Sequence, residues 1–293
     1  MLKSTVLTSF LSITLLSGIC ASTVLAQNEE PVLPGTINYV EGSASIDGRH
    51  ISPRSIGSAG LDAGQVLSTG QGKVEMLLTP GIVFRLGDNS SARLVSPDLT
   101  KTVVDLESGH ATVEVDEIFP QNNVQIVQNG NPTQVLKPGF YAFDAMHGSV
   151  RVFQGKAAVL DHENKWITVK GNRELAIGDG VNLKPHGFDS HSAEDDLYKW
   201  SSLRSQYLAE ANTQIAGQYS YAGFAPGWYW DPYGYGYTFV GLNPFWSPFG
   251  WGFYGGGIYG RGFYGGRGGY VGRGGYGGGM GGGVRGGGGG GRR

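Results

Sequence analysis

The stretch INYVEGSASI at residues 37–46 recurs in looser form as VDLESGHATV at 104–113 and as VRVFQGKAAV at 150–159. In each copy, apolar residues alternate on both sides of a central glycine, which is the pattern of a half-buried strand. Across that glycine the alternation shifts by one residue, and such a shift needs a bulge, a sharp bend or a tight turn. The residues predicted to shape this repeated β-unit are Gly42, Gly109 and Gly155, with Ala44, Ala111 and Ala157 two positions later at crowded sites.

A second repeat relates Pro80-Gly81 to Pro138-Gly139, with a Ser and an Arg at matching distances after each pair. Between residues 35 and 186, short runs rich in Val, Ile, Leu, Thr and Phe alternate with turn signals, and no helical period is visible. The predicted fold class of residues 35–186 is therefore all-β. The repeats favour stacked hairpins or a short, irregular β-solenoid over a sandwich.

The first 26 residues have the features of a secretory signal peptide, with Lys3 before an apolar stretch and Ala26 at the cleavage position. Residues 27–34 are predicted to be a linker. No later segment is apolar for long enough to span a membrane, so the mature chain is expected to have no transmembrane segment. Cys20 is the only cysteine and lies in the signal, which leaves the mature chain without a disulfide or a thiolate site.

Charge and glycine are unevenly distributed along the chain. Residues 27–210 hold 15 Lys or Arg and 23 Asp or Glu, a net charge of −8, whereas residues 211–293 hold 6 Arg and one Asp, a net charge of +5. The acidic body and the basic tail could attract each other or different partners. Because Gly dominates residues 255–293, this Gly/Arg-rich tail is predicted to be disordered.

One amphipathic helix is predicted within residues 187–216, from about Ala193 to Ala211. Ser192 would open it through a capping box. Apolar residues then recur at steps of three and four, and they should pack on the β body. This stripe comprises Leu197, Trp200, Leu203 or Arg204, Tyr207 and Leu208.

An aromatic-rich segment follows at residues 217–254, and sixteen of the residues from 219 to 254 are Phe, Trp or Tyr. So many rings left in water would invite aggregation, so they either fold back on the body or meet a partner. Exposed rings could stack on sugars, enter a membrane interface or self-associate. Arg-Gly-Gly spacing also resembles single-strand nucleic-acid binders, although export argues against that partner. The candidate interaction residues are Trp228, Tyr229, Trp230, Tyr233, Trp246, Phe249, Trp251, Arg261, Arg267 and Arg273.

Several motifs in order are similar to one known family: the Gly-x-Ala units, LSTG at 67–70, GKVEMLL at 72–78, and Pro80-Gly81 leading into FRLGDNS at 84–90. On these motifs, residues 35–183 resemble the FecR-type periplasmic β-domain. The resemblance implies an all-β domain in the periplasm or at the cell surface of a bacterium. In that family the domain senses an occupied receptor by protein contact, and a membrane helix passes the signal to a sigma factor. This chain is expected to have neither a cytoplasmic segment nor a membrane helix, so the resemblance implies the protein contact alone.

No pattern of catalytic residues emerges, and the chain is predicted not to be an enzyme and to have no cofactor. It has no His-Glu-x-x-His pair, no Gly-x-Ser-x-Gly elbow and no phosphate loop. The carboxylate pair Asp116-Glu117 is interpreted as a solvated face. His186, Asp189, His191 and the acidic residues 194–196 could bind a metal weakly, but an exposed loop with a helix N-cap is the favoured interpretation, and no metal site is predicted.

The sequence therefore supports three hypotheses. The first is a non-enzymatic envelope protein whose β body binds another protein through exposed sheet edges. The second is a structural or adhesive protein that binds polysaccharide or peptidoglycan through its aromatic segment and Gly/Arg-rich tail. The third, a hydrolase or a metalloenzyme, is the least supported.

Overall fold

The structure is a computed structural model that describes residues 32–178, 184–219, 225–231 and 233–256. The predicted signal peptide, most of the predicted linker and the chain beyond residue 256 lie outside the described residues. Three of the candidate interaction residues, Arg261, Arg267 and Arg273, also lie outside them.

Fifteen strands of the described chain form one sheet, which confirms the all-β prediction. They are β1 (Ile37–Ile46), β2 (Arg49–Ile51), β3 (Val66–Leu77), β4 (Ile82–Leu86), β5 (Ser91–Asp98), β6 (Lys101–Ser108), β7 (His110–Val115), β8 (Val124–Gln128), β9 (Asn131–Val135), β10 (Gly139–Asp144), β11 (Ser149–Gln154), β12 (Lys156–Leu160), β13 (Trp166–Lys170), β14 (Arg173–Ala176) and β15 (His186–Gly187). One described helix follows, α1 (Asp196–Tyr219), and then two hairpins, β16 (Gly227–Asp231) with β17 (Gly236–Val240), and β18 (Phe245–Trp246) with β19 (Gly252–Phe253). Among the described residues, no helix is both long and apolar enough to cross a membrane.

The sheet folds over on itself. Its strand order is β13-β12-β9-β8-β6-β5-β3-β4-β7-β10-β11-β14-β15, with β1 paired to β3 and β2 paired to β1, and its pairs are antiparallel apart from the parallel pair β6–β8. Only Gly109 separates β6 from β7 in the chain, yet β5, β3 and β4 lie between them in the sheet. The sheet must therefore turn back, which creates a first layer (β13, β12, β9, β8, β6 and β5) and a second layer (β4, β7, β10, β11, β14 and β15). The two halves of β3 pair with one layer each.

The core lies between the two layers and is one continuous apolar cluster. It joins first-layer residues such as Val104 and Ile126 to second-layer residues such as Val113 and Val152, all of them fully buried. These residues occupy alternate positions of their strands, so the period-two pattern of the sequence directs one face of each layer inward.

The three aligned glycines all lie at bends between strand segments, as predicted. Gly42, Gly109 and Gly155 have φ of +69°, +78° and +102°, in the left-handed region that favours glycine. Gly42 marks a register shift where β1 passes Gly72 of β3, and a Cβ there would collide with a backbone carbonyl oxygen. The aligned Ala44, Ala111 and Ala157 are buried.

The two Pro-Gly motifs occupy equivalent places in the second layer. Pro80-Gly81 leads into β4 and Pro138-Gly139 leads into β10, and these two strands flank β7. Val115 of β7 is the register partner of Ile82 on one side and of Gly139 on the other. The repeat in the sequence therefore corresponds to two structurally equivalent Pro-Gly turns, one before each of the strands that flank β7.

The helix α1 begins later and ends later than the sequence predicted. Asp195 is its N-cap, because its Oδ1 accepts from the Tyr198 amide at 2.8 Å. The predicted cap, Ser192, instead donates its hydroxyl to Asp189 at 2.7 Å in a preceding turn. The apolar stripe packs inward as expected, and between the two alternatives Arg204 is buried while Leu203 is 45% exposed.

The aromatic-rich segment folds back on the body through its two hairpins. The Thr238 hydroxyl of β17 donates to the Leu208 carbonyl at 2.7 Å, and the Asn212 amide of α1 donates to the Phe239 carbonyl at 2.9 Å. In β18–β19, Phe245 and Phe253 stack at 4.8 Å on the inner side. Of the two outcomes left open by the sequence, folding back is therefore the one observed for most of these rings.

Candidate interaction surfaces

The polar cluster between residues 186 and 196 consists of caps and side-chain pairs. Asp189 accepts from the backbone amide of His191 at 3.0 Å, and Asp195 caps α1. The His191 Nδ1 lies 3.3 Å from Glu194 Oε1 on a highly exposed loop. Within the described ranges, no group of three or more His, Cys, Asp or Glu side chains is arranged to hold a metal ion.

A layer of buried charges lies on the outer face of the second layer. Glu75 of β3, Arg85 of β4 and Glu114 of β7 alternate with core residues, so their side chains point away from the core. The Arg85 guanidinium donates through Nε to Glu75 at 2.8 Å and through Nη1 to Glu114 at 2.5 Å. All three residues are almost completely buried although they face outward, so something must cover them.

The helix α1 is the first part of that cover. Arg204 donates through Nη2 to Glu75 at 2.9 Å, and its guanidinium carbon lies 3.9 Å from the ring centre of Tyr39. The Ser205 hydroxyl donates to Glu114 at 2.6 Å. The helix therefore docks on the sheet with charged and polar side chains in addition to its apolar stripe, and Trp200 adds a bond from Nε1 to a carboxylate of β1 at 2.8 Å.

The hairpin β16–β17 completes the cover. Arg204 also donates to the Tyr235 carbonyl at 2.8 Å. Asn38 of β1 donates to Glu75 at 2.9 Å and to the Tyr237 carbonyl at 3.0 Å, and it accepts from the Tyr237 amide at 2.6 Å. Sequence reasoning missed this polar layer, although the outward-facing charges inside VEML and FRL were a signal that could have found it.

The electrostatics of the layer fit a structural role. Burial alone would raise the pKa of Glu75, but Arg204 and Arg85 lower it to about 2, so this carboxylate stays ionised. Burial, and then the charge of Glu114, raise the pKa of Asp116 well above its usual range. The Asp116 Oδ1 is shut off from solvent and has no hydrogen-bond partner among the described residues, so the interpretation of Asp116 as solvated was wrong.

Four of the candidate aromatic residues are packing residues. Trp228 lies edge-on to Phe239 with ring centres 5.7 Å apart. Phe249 contacts Phe140 of β10 at 4.7 Å. Trp251 donates from Nε1 to a helix carbonyl at 3.2 Å, and Tyr229 packs against the small cluster of the α1 C-terminal half with β17. These four rings are half-buried; Tyr229, Phe249 and Trp251 hold the hairpins on the body, whereas Trp228 packs within its own hairpin.

Two other candidates remain largely exposed. Tyr233 is 70% exposed at the turn of β16–β17, and Trp246 is 77% exposed on β18, whereas Trp230 is 37% exposed and packs over Gly57. Trp246 is the register partner of Gly252, and its ring carbons lie 3.4 Å from where a Cβ on that glycine would sit. The indole therefore rests on a glycine and offers much of its surface to solvent.

The outer face of the first layer is uncovered in the described chain. The main contacts of α1 and the hairpins are with one another and with β1 and β7, and none of these main contacts involves a strand of the first layer. The ladder registers place Trp166 beside Leu160, and Pro132 beside Val127, at outward positions of β13, β12, β9 and β8. Trp166 is 49% exposed, and the other three are half-buried. An apolar row therefore crosses an open sheet face and ends at the edge strand β13.

The free edge of β13 presents unpaired backbone groups. In the described chain β13 pairs with β12 alone. Backbone bonds from Asp161 to Lys165 and from Gly171 to Gly155, at 2.9 and 3.1 Å, mark the hydrogen-bonded pairs at the two ends of this ladder. Because hydrogen-bonded and non-hydrogen-bonded pairs alternate in antiparallel ladders, the amides of Trp166, Thr168 and Lys170 point away from β12, toward the free edge.

Comparison with known proteins found similar solved structures, two of which are crystal structures of a candidate anti-sigma factor from Parabacteroides distasonis. The first is 17% identical with a TM-score of 0.36, and the match covers 47% of this chain and 63% of that chain. The second is 15% identical with a TM-score of 0.36, and the match covers 53% of this chain and 72% of that chain. The chain therefore spans less than two thirds of the length of the first structure. No protein-family profile and no curated protein matches the chain, so no family is assigned to it.

Proposed function

We propose that this chain is a non-enzymatic protein of the bacterial cell envelope whose FecR-like β body binds another protein. The observation that carries the proposal is the asymmetry of the folded sheet. One outer face is buried under α1 and the aromatic hairpins, while the other carries an uncovered apolar row that runs to an open edge at Trp166. Open edges and exposed apolar surface are the features by which sheets recruit partners.

The environment of the ionisable side chains supports a role without catalysis. The buried charges of Glu75, Arg85 and Arg204 pair with one another and hold the helix on the sheet. A cavity beside His110 and Asp144 has a volume of about 60 Å³, which is room for about two water molecules. A larger and more open cavity of about 300 Å³ has no carboxylate, His or Cys in its lining, which consists of Ile46, Arg49, Ile51, Ser58, Ala59 and Gly60.

Site-specific photo-crosslinking tests the proposal. A benzophenone amino acid replaces Trp166, and in a matched control it replaces Leu203 of α1, which has a similar exposure of 45%. The modified chains are expressed in bacteria, irradiated and purified. We expect a discrete crosslinked envelope protein from position 166 and none from position 203. Identical products from both positions, or none from 166, would contradict binding at this face.

A second candidate function, adhesion to polysaccharide or peptidoglycan, is favoured by Trp246. A ring that contacts Gly252 and is 77% exposed to water is suited to stacking on a sugar. We expect Trp246→Ala to lower retention on isolated peptidoglycan, whereas Met146→Ala, at a residue 70% exposed on the β body, should not. Equal retention of the two variants would argue against this role.

A further inference from the structure

We propose that the partner binds by adding an acidic, extended segment to the free edge of β13. This inference rests on the proposed protein-binding function and specifies the partner's chemistry. The docking site consists of three outward positions: Trp166, Thr168 and Lys170.

The backbone of β13 is suited to accept a further strand. The outward amides and carbonyls of Trp166, Thr168 and Lys170 are at the non-hydrogen-bonded positions of the β12–β13 ladder, and they have no backbone partner in the described chain. A strand added beside β13 could pair with it over its full length of five residues. The half-buried Ile167, on the core side of this edge, would also gain cover from an apolar side chain of the added strand.

The outward side chains indicate what the added strand should carry. Lys156 and Lys170 are register partners, and both point away from the core because their neighbours Ala157 and Val169 point into it. As a non-hydrogen-bonded pair they hold their side chains especially close, and like charges directly opposite each other are destabilising. Neither lysine has an ion-pair partner in the described chain. A carboxylate beside Lys170 would relieve this repulsion.

At the other end of the β13 edge, the added strand should carry an apolar residue. Trp166 is paired with Leu160, and both lie on the outer face. Trp166 and Lys170 are four positions apart, which is about 13 Å along a strand. The complementary segment therefore has an apolar side chain and an acidic side chain four residues apart on the same face.

A second copy of this chain is a poorer occupant. The strand Trp166–Lys170 contains no carboxylate, so a second β13 would bring its own Lys170, with Lys156 of its β12 beside it, and leave all four lysines without a counter-charge. Lysine on an edge strand is also a known protection against edge-to-edge aggregation. Protection of that kind repels copies of the same edge but does not repel an acidic strand, so the two roles are compatible.

The test uses a fluorescein-labelled synthetic peptide, Ser-Glu-Val-Glu-Val-Val-Val-Ser, in which the first Glu and the Val four residues later share one face, and a control peptide in which both Glu are replaced by Lys. Binding to the purified full chain is followed by fluorescence anisotropy at low ionic strength. Hydrogen exchange then reports on single amides. We expect the acidic peptide to bind at least about tenfold more tightly than the control, and to slow exchange at Thr168 and Lys170. The amides of Ile167 and Val169, which point to β12, should change little.

Two variants distinguish the contribution of backbone hydrogen bonds to peptide binding from the contribution of the Lys170 charge. Thr168→Pro removes an outward amide and is tolerated at such an edge position, so we expect about tenfold weaker binding, whereas Thr168→Ser should bind normally. Lys170→Glu should reverse the preference between the two peptides and needs no change of backbone. If Thr168→Pro does not fold, the Lys170→Glu reversal and the exchange pattern decide the outcome.

Several results would overturn strand addition: equal affinity for both peptides, unchanged binding of a folded Thr168→Pro variant, or no change in exchange at Thr168. Self-association that is lost in Thr168→Pro would identify a second copy as the occupant instead. If crosslinking at Trp166 captures a protein but neither peptide binds as expected, the proposed protein binding is supported and strand addition at β13 is contradicted. If crosslinking also fails, the proposed function falls with it.

Discussion

Gly42 has no side chain, and the space that a side chain would occupy is filled by the backbone of β3 at Gln71 and Gly72. The residue combines a φ of +69° with this close approach, so two separate costs would follow from any Cβ. Left-handed backbone costs a residue other than glycine about 1–2 kcal/mol, and overpacking costs about 1–3 kcal/mol more. This single position thus lets β1 bend while it stays paired to β3.

A pair of alanine substitutions separates these two costs. We expect Gly42→Ala to lower the free energy of unfolding by about 3 kcal/mol or more. Gly48 has a similar φ of +76° but open space around it, so Gly48→Ala should cost only about 1 kcal/mol. Urea denaturation of both variants measures the difference. Equal losses would mean that close approach at Gly42 is not what requires glycine.

Asp116 predicts a pH dependence with a definite sign. Its pKa is raised by burial and then by Glu114, so the folded state holds the proton more tightly than the unfolded state. The stability that this proton contributes is present below the ordinary value of 3.8 and is lost as the pH rises through the raised pKa. At neutral pH and above, the chain carries the cost of a buried carboxylate beside Glu114.

We expect Asp116→Asn to raise the free energy of unfolding at pH 8 by about 1 kcal/mol. The gain should shrink as the pH is lowered toward 4, because the wild-type carboxyl is then protonated in the folded state and no longer places a charge there. The exposed Asp62 provides the control, since Asp62→Asn makes the same charge change on the surface. A gain that does not vary with pH would contradict the assignment.

At the scale of elements, α1 is bound to the sheet by a buried charged contact. Arg204 satisfies Glu75, and Arg85 bridges Glu75 to Glu114, so removing one cation leaves a buried carboxylate with less compensation. Because Glu75 is ionised in the folded state, its contribution to stability is present above its ordinary pKa of 4.5 and is lost as the pH falls toward about 2.

Adjacent substitutions on the helix test this contact. We expect Arg204→Leu to lower the free energy of unfolding at pH 7 by about 3–5 kcal/mol, as when one partner of a buried ion pair is removed. Leu203→Ala, at the neighbouring exposed position, should stay within about 0.5 kcal/mol of wild type. Chemical denaturation measures both. A small loss for Arg204→Leu would mean that the helix is held by its apolar stripe alone.

At the scale of the whole molecule, the aromatic hairpins belong to the folded body. Backbone carbonyls of Tyr235 and Tyr237 satisfy Arg204 and Asn38, and the Asn212 amide bonds to carbonyls of both hairpins. A body cut off before these hairpins would therefore keep its charges but lose part of their cover.

We expect a chain truncated after residue 216 to lose several kcal/mol of stability, since buried polar groups and the inner face of α1 would meet water. Thermal unfolding and binding of a hydrophobic dye report the loss. The full chain with Trp246→Ala, an exposed position in the same segment, should unfold like wild type. An equally stable truncated chain would mean that the hairpins are accessory to the fold.

The sequence alone predicted the strands, the bends at Gly42, Gly109 and Gly155, and the presence of one helix. These features depend on local preferences, namely period-two apolar alternation and the left-handed backbone that glycine allows. The helix start was misplaced because Ser192 and Asp195 are both good caps, and only the turn formed by Asp189 decides between them. Local sequence cannot decide which of two suitable residues caps the helix when the choice depends on their tertiary surroundings.

Only the tertiary structure decided which sheet face is covered and which edge is open. Outward-facing Glu75, Arg85 and Glu114 read as solvent-exposed until a distant helix and hairpin are brought onto them. Trp166 and Lys170 read as ordinary strand residues until the strand order places β13 at the end of the sheet. Alternation along a strand is a local property of the chain, whereas cover and edge position depend on how distant segments close on one another.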